Sequence, residues 1–317
     1  MHSLNRRAFL ETLSAVTAAG FLRTEIDSSL ARAAKEPHLN FPTAPRDRIS
    51  LTSYPFRAYI ETPANHARDP RLPGMTLEQF AALAALKFNV HHIEPHGRHF
   101  RSLDSAYLKG LREAFEKVKV DVVDLAAPDL RLYDSDTSVR RDAVASAKKW
   151  VDAAVLISSP SMRPHIGHAS REPANSEALS ESLREISEYA AERNVVIVLE
   201  NDDPVSEDAF FLVKVIESVN NPYLRALPDF ANSLMGGDEE FNYRSLQAMF
   251  QHSYNVCHIK DREANDQGKE LRVDLKKCFD ILKASDYRGY CSIEYDSPGE
   301  PYAPTAELIE QTVKYLS

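Results

Sequence analysis

The sequence predicts a single α/β domain folded as a (β/α)8 TIM barrel, and three observations carry that prediction. Eight short apolar runs recur along residues 34–317. Helical patterns separate them, and no Gly/Ser linker or low-complexity tract divides the chain. The last four runs each end in an acidic or imidazole residue, Glu200, Asp229, His258 and Glu294, at intervals of 29, 29 and 36 residues. About thirty residues is the length of one strand with its returning helix, and parallel strands in a closed barrel bring their C-terminal ends to one mouth.

The runs are taken in chain order as strands: ISLTSYPF (49–56), NVHHIEP (89–95), VDVVDLAA (120–127), DAAVLISSP (152–160), VVIVLEN (195–201), YLRALPDF (223–230), NVCHIKD (255–261) and GYCSIEYD (289–296). Each is short, β-branched or apolar, and flanked by polar residues, the pattern of a buried parallel strand. Between them, TLEQFAALAALK from Thr76 opens on a Thr N-cap, and SEALSESLREISEYAAER from Ser176 repeats its apolar residues at helical spacing. An open doubly wound sheet would normally carry a Gly-rich first turn, whereas PFRAYIETP follows the first run here.

The first 33 residues stand apart. Asn5-Arg6-Arg7-Ala8-Phe9-Leu10, the apolar stretch LSAVTAAGFL and Ala31-Arg32-Ala33 have the form of a twin-arginine (Tat) export signal with a small-residue cleavage site. The expected mature domain is therefore 34–317, periplasmic or secreted. No apolar run reaches the ~20 residues that span a bilayer, so no membrane partner is expected after signal removal.

Formal charge is −9 and moves to about −10 without the signal. An acidic chain with no basic stripe argues against nucleic acid as a partner. Three cysteines, Cys257, Cys278 and Cys291, are too few for a disulfide framework. Strand alternation turns Cys257 and Cys291 toward the helix layer, where apolar packing is the preferred reading; one disulfide, including through Cys278, stays open.

Three carboxylates and one imidazole form a hard donor set suited to one divalent ion, Mn²⁺, Mg²⁺, Co²⁺ or Zn²⁺. On the runs LEND, PDFAN, HIKD and SIEYD the chain resembles the sugar phosphate isomerase/epimerase family of the xylose isomerase-like TIM barrel superfamily. The resemblance implies that Glu200, Asp229, His258 and Glu294 hold the metal. It further implies that Glu200 and Glu294 are the catalytic acid/base pair, in an isomerase or epimerase acting on a small-molecule carbohydrate. Such a reaction removes a proton next to a carbonyl and passes through an enediolate, whose charge a divalent cation would stabilise.

Two departures stand out. The family's histidine three residues after the aspartate is Asn232 here, and its Gly-x-Gly segment is represented only by GKELRVD from Gly268. Near the other strand ends lie Glu94, His96, Arg98 and His99, then Arg163, His165 and His168, then Lys260 and Arg262. Of these and Asn232, the expected substrate contacts are Glu94, His96, Asn232 and Lys260, while His91-His92 is read as structural. No Arg/Lys cluster with a glycine nest follows the last two strands, so the expected substrate is an unphosphorylated sugar, keto-sugar or oxidised glycoside. A lyase or hydratase on a keto-glycoside and a noncatalytic sugar-binding relative share the same ligands. An endonuclease IV-like nuclease fits less well, because Asn232 replaces a histidine its metal cluster would need. The sequence is compatible with a homo-oligomer.

Overall fold

The computed structural model describes residues 36–167, 175–202, 205–264, 267 and 269–317. The export-signal reading at 1–33, His168 and Gly268 lie outside them. Residues Pro37–Ser317 form one compact unit.

Strand β1 (Ile49–Thr52) leads through residues 53–76 to helix α1 (Leu77–Phe88), and then β2 (His92–Glu94) leads to α2 (Ser105–Lys117). The third barrel position is a broken strand, β3 (Asp121–Val122) and β4 (Leu125–Asp129), followed by α3 (Thr137–Leu156). Next come β5 (Ser161–His165), α4 (Ser176–Ala191), β6 (Val196–Glu200), α5 (Ala209–Val219), β7 (Leu224–Leu227), α6 (Glu239–Phe250) and β8 (Val256–Ile259). A hairpin of β9 (Arg262–Ala264) and β10 (Glu270–Arg272) is inserted before α7 (Leu275–Ala284), β11 (Tyr290–Ile293) and α8 (Tyr302–Leu316).

All barrel pairings are parallel, in the orders β3-β2-β1-β11-β8 and β4-β5-β6-β7. Bridges His96↔Ala126 and Asp229↔His258 join the two sheets and close the ring. Eight positions, each followed by a helix, make the (β/α)8 TIM barrel that the spacing predicts.

Local chemistry sets the helix starts. Thr76 and Gln79 form a reciprocal capping box on α1, and Asp136, Asn175, Asp208, Asp238 and Asp274 each accept a backbone N–H at the starts of α3, α4, α5, α6 and α7. These caps satisfy amides that the first turn leaves without partners. The main core lies between barrel and helices, with Phe56, Phe80, Phe115 and Phe279 buried in it. Burying one such ring contributes ~1.5–3 kcal/mol. A smaller cluster of Val196, Val198, Tyr223, Leu227 and Val256 is separate from it.

One strand differs from expectation. Residues 152–156 complete α3, because Val151, Ala153 and Ala154 continue its buried face, and Ser158 breaks the helix at φ 61°. The strand instead runs from Ser161 to His165. Cys257, Cys278 and Cys291 are buried, unbridged thiols in the main core, with 4.0 Å between the Cys257 and Cys291 sulfurs.

Candidate active site

The four ligand candidates converge as the barrel geometry requires. Glu200 ends β6, Asp229 follows β7, His258 lies on β8 and Glu294 follows β11. One donor atom from each lies within 4.8 Å of the others. Hard ligands bind divalent ions at about 2.0–2.6 Å, so donors across one ion lie about 4–5 Å apart and the set fits a single cation.

Asp229 shows how the chain aims these candidates. Its Oδ1 accepts the backbone N–H groups of Ala231 and Asn232, each at 2.8 Å, and its own amide donates to Asn201 Oδ1 at 2.9 Å. Among the described residues its Oδ2 is buried without a hydrogen-bond partner, and it lies 3.8 Å from His258 Nδ1. A buried oxygen with no donor is costly, and a cation among these four residues would satisfy it. Burial, with the nearby charges of Glu200 and Glu294, pushes the Asp229 carboxyl up to about 7 despite Lys260. This excess of carboxylate is what a bound divalent ion offsets.

His258 Nδ1 faces Glu200 Oε1 at 2.7 Å and Glu294 Oε2 at 3.4 Å. Burial works against its charge, but Glu200, Glu94 and Glu294 outweigh burial and hold its pKa well above the usual range. Burial raises the Glu200 carboxyl, with Arg163 and His258 pulling the other way. Arg163, itself buried, donates to Glu200 and, at 3.0 Å, to Asp202 Oδ2. Asp202 also meets His165 Nδ1 at 2.8 Å. These contacts fix one side of Glu200.

Lys260 fixes the other side. Its Nζ donates to Asn232 Oδ1 at 2.9 Å, pairs with Glu263 at 2.6 Å and lies 3.5 Å from Glu294 Oε1. Burial disfavours the ammonium, yet Asp229, Glu294, Glu263 and Asp296 keep its pKa well above that of an ordinary lysine. Asn232 Nδ2 reaches back to Glu200 Oε1 at 3.3 Å. The amide at 232 therefore bridges Lys260 and Glu200, holding in place what a histidine there could also protonate.

These groups face a cavity of about 260 Å³. Glu200, Glu294, His96, Asn232 and Lys260 line it. Asp229 and His258 are fully buried beside it. Glu94, expected to touch substrate, does not reach the cavity: it is fully buried, and its carboxylate is taken by His258 Nε2 at 2.9 and 3.1 Å. Arg262 turns away to Asp261 and Glu270. Burial, with neighbouring His99, His165 and Arg163, holds the His96 pKa well below the usual range, so its imidazole is neutral. Sequence reading passed over Tyr54, Asp202, Glu207, Glu263 and Asp296, which also line the cavity. Strand alternation could have found two of them, since Asp202 and Asp296 lie two residues beyond Glu200 and Glu294.

A sequence profile of the xylose isomerase-like TIM barrel family matches residues 80–317. No curated protein sequence matches the chain significantly. Among solved structures, a xylose isomerase-like TIM barrel protein from Mycobacterium smegmatis in complex with magnesium superposes with TM-score 0.65 at 15% identity, over 84% of this chain and 96% of the other. A D-allulose 3-epimerase from Methylomonas sp., in complex with D-allulose, gives 0.63 at 17% identity over 87% and 98%. The 3-keto-D-glucoside 4-epimerase of E. coli gives 0.62 at 15% identity over 84% and 98%. At these identities the likeness is one of fold.

Proposed function

Because the chain belongs to the xylose isomerase-like TIM barrel family, we propose that it is a divalent-metal-dependent isomerase or epimerase of an unphosphorylated sugar, keto-sugar or oxidised glycoside. The observation that carries the reading is the partnerless Asp229 Oδ2, buried among Glu200, His258 and Glu294, with both glutamates also facing the cavity. Epimerases of D-allulose and of a 3-keto-D-glucoside among the structural neighbours support the substrate class.

Glu200, Asp229, His258 and Glu294 would hold the ion. Bound there, it supplies Lewis-acid polarisation of a carbonyl and its neighbouring hydroxyl. One glutamate takes the proton from the carbon beside the carbonyl; the C–H electron pair becomes the C=C bond and the carbonyl π pair moves to oxygen, giving an enediolate. The other returns a proton: to the opposite face of the same carbon for epimerisation, or, for isomerisation, to the former carbonyl carbon while the neighbouring hydroxyl proton passes to the enediolate oxygen and the new carbonyl forms. The Lys260 ammonium, held by Asn232 and Glu263, lies close enough to Glu294 to favour negative charge developing on a substrate oxygen. Neutral His96, whose Nδ1 already accepts the Arg98 amide at 3.2 Å, offers a sugar hydroxyl its Nε2–H.

The cations of the cavity are already engaged. Arg163 is committed to Glu200 and Asp202, and Lys260 to Glu263 and Asn232. A phosphate would have to break buried ion pairs to bind them. Export through the Tat pathway, expected from residues 1–33, agrees with a substrate met outside the cytoplasm.

Elemental analysis of wild-type and Asp229→Ala protein tests the site: one divalent ion per chain, lost in the variant, is expected, and equal content in both would overturn it. Incubation with keto-sugars and keto-glycosides in D₂O, followed by NMR, should place deuterium next to a carbonyl. Exchange that survives both Glu200→Gln and Glu294→Gln would remove the glutamates from the reaction. A product lacking the elements of water would move the assignment to a lyase.

A further inference from the structure

Next to the cavity holding Glu200 and Glu294 lies a second hollow of nearly equal size, about 270 Å³. The two share Tyr54, His96 and His165 in their linings. Ring centroids are 6.0 Å apart for Tyr54 and His96 and 5.8 Å apart for His96 and His165. The common wall is therefore a ridge of three rings, and the hollows lie on either side of it.

The outer hollow is built by a long, pinned loop. Residues 53–76 join β1 to α1, where connections of about 2–6 residues are usual in α/β units. Asn65 Nδ2 donates to the carbonyls of Arg57 and Ile60 at 2.7 and 2.6 Å, Asp69 N to Ala58 O at 2.9 Å, and Met75 N to Tyr59 O at 2.8 Å. Such a loop is ordered wall, which long connections in compact domains provide when they serve binding.

The charges of this hollow are neutralised in place. Arg57 pairs with Asp296 at 2.7 Å and Arg98 with Asp129 at 2.8 Å. Burial, with Arg57 nearby, lowers the His99 pKa to about 3 and leaves its ring neutral. An anionic group finds its guanidinium partners already occupied. A polyhydroxylated ring finds the ring faces of Tyr54 and the histidines for its C–H surface and, with their Nδ1 atoms held by Arg98 N and Ser53 Oγ, the Nε2 atoms of His96 and His99 for its hydroxyls.

We infer that the substrate spans both hollows: the ring bearing the carbonyl sits beside Glu200 and Glu294, and a neutral glycosidic ring crosses the Tyr54–His96–His165 ridge into the second. Resting on the proposed function, this narrows the substrate class to a two-ring keto-glycoside. The linkage crosses the ridge, and the second ring contributes binding without entering the chemistry.

The test compares D-allulose, a methyl 3-keto-glucoside and a 3-keto glucosyl disaccharide, using Mn²⁺-loaded full-length protein and its Ala67→Phe variant. Ala67 is exposed and lines only the second hollow, so phenylalanine there fills the hollow without entering the core; thermal melting confirms folding. Deuterium exchange gives kcat/KM and calorimetry gives affinity. The disaccharide should exceed the methyl glycoside by about tenfold or more in kcat/KM, equivalent to about 1.4 kcal/mol, and Ala67→Phe should bring the ratio close to one. Exchange with no disaccharide preference, or a preference that Ala67→Phe leaves intact, would overturn the two-ring inference while the isomerase reading stands. Disaccharide binding lost in Ala67→Phe but with no exchange would support the two-hollow cleft and overturn the reaction. Neither binding nor exchange would overturn both.

Discussion

The carboxylate of Glu94 receives His258 Nε2 at 2.9 and 3.1 Å, in a contact whose two side chains are wholly excluded from solvent. Both oxygens of Glu94 are acceptors, so the nitrogen facing them carries a proton, both in the imidazolium that the surrounding glutamates favour and in the neutral ring that would ligate a cation. Nδ1 is then the atom turned toward Glu200, Asp229 and Glu294. A carboxylate behind a ligating histidine fixes both its tautomer and its ring orientation.

Replacing Glu94 should accordingly weaken metal binding without removing a ligand. Glu94→Gln can still accept one hydrogen bond from Nε2, whereas Glu94→Ala cannot. Calorimetric titration with Mn²⁺ should show about a 10–100-fold loss of affinity for Glu94→Ala and a smaller loss for Glu94→Gln. Equal affinities in all three proteins would show that Glu94 merely fills space.

Glu94 also shows where sequence reading ran out. The barrel and the convergence of Glu200, Asp229, His258 and Glu294 were legible because strand and helix periods repeat, and because each of the four closes an apolar run. The depth of a side chain along the barrel axis was not. Glu94 and His96 share an inward face two residues apart, yet only the layer each occupies decides that His96 reaches the cavity and Glu94 supports His258. The fourth strand was misplaced for a related reason: the apolar run 152–156 fits a helix face as well as a buried strand, and only the left-handed turn at Ser158 marks the break. The ridge of Tyr54, His96 and His165 joins side chains from three different loops or strands, so no local pattern announced it.

A second prediction concerns Asp124, which is fully buried and bonded through Oδ1 by Ser161 Oγ, while its Oδ2 has no partner. Burial and the nearby Glu94 push this carboxyl up to about 8, against about 3.9 when unfolded. Between these values the folded chain holds a proton that the unfolded chain lacks. The contribution is therefore full below the unfolded value and is lost as pH rises toward 8. Asp124→Asn should gain on wild type by at most about 1.4 kcal/mol per pH unit across this window. Urea midpoints at about pH 5 and about pH 8 measure the gain, and an unchanged difference between the two proteins would oppose it.

His99 predicts the opposite slope. Its Nδ1 lies 2.7 Å from Ser53 Oγ, and its pKa falls to about 3 from an unfolded value near 6.5. Between those limits the unfolded chain binds the extra proton, so the stabilisation is complete above about 6.5 and is lost as pH falls toward 3. His99→Gln cannot titrate, and its stability should fall less steeply with acid, by up to about 1.4 kcal/mol per pH unit. Parallel stability curves for wild type and variant between about pH 4 and about pH 7 would contradict this account.

Lys260 allows binding of the proposed ion to be separated from its use. Its ammonium lies 3.5 Å from Glu294 and is held by Asn232 and Glu263, yet it cannot ligate a cation while protonated. Lys260→Met keeps much of the side-chain volume and removes the charge, so metal content should stay near one ion per chain. Removing one preorganised donor from a developing oxyanion costs about 10²–10³ in kcat, and the loss should fall on kcat more than on KM, because the charge it stabilises develops after substrate binds. Asn232→Leu, which frees the lysine without deleting it, should give a smaller loss of the same kind. If Lys260→Met instead raised KM and left kcat unchanged, the ammonium would be a ground-state contact to a hydroxyl. Stabilisation of the enediolate would then rest on the metal centre and the glutamates alone.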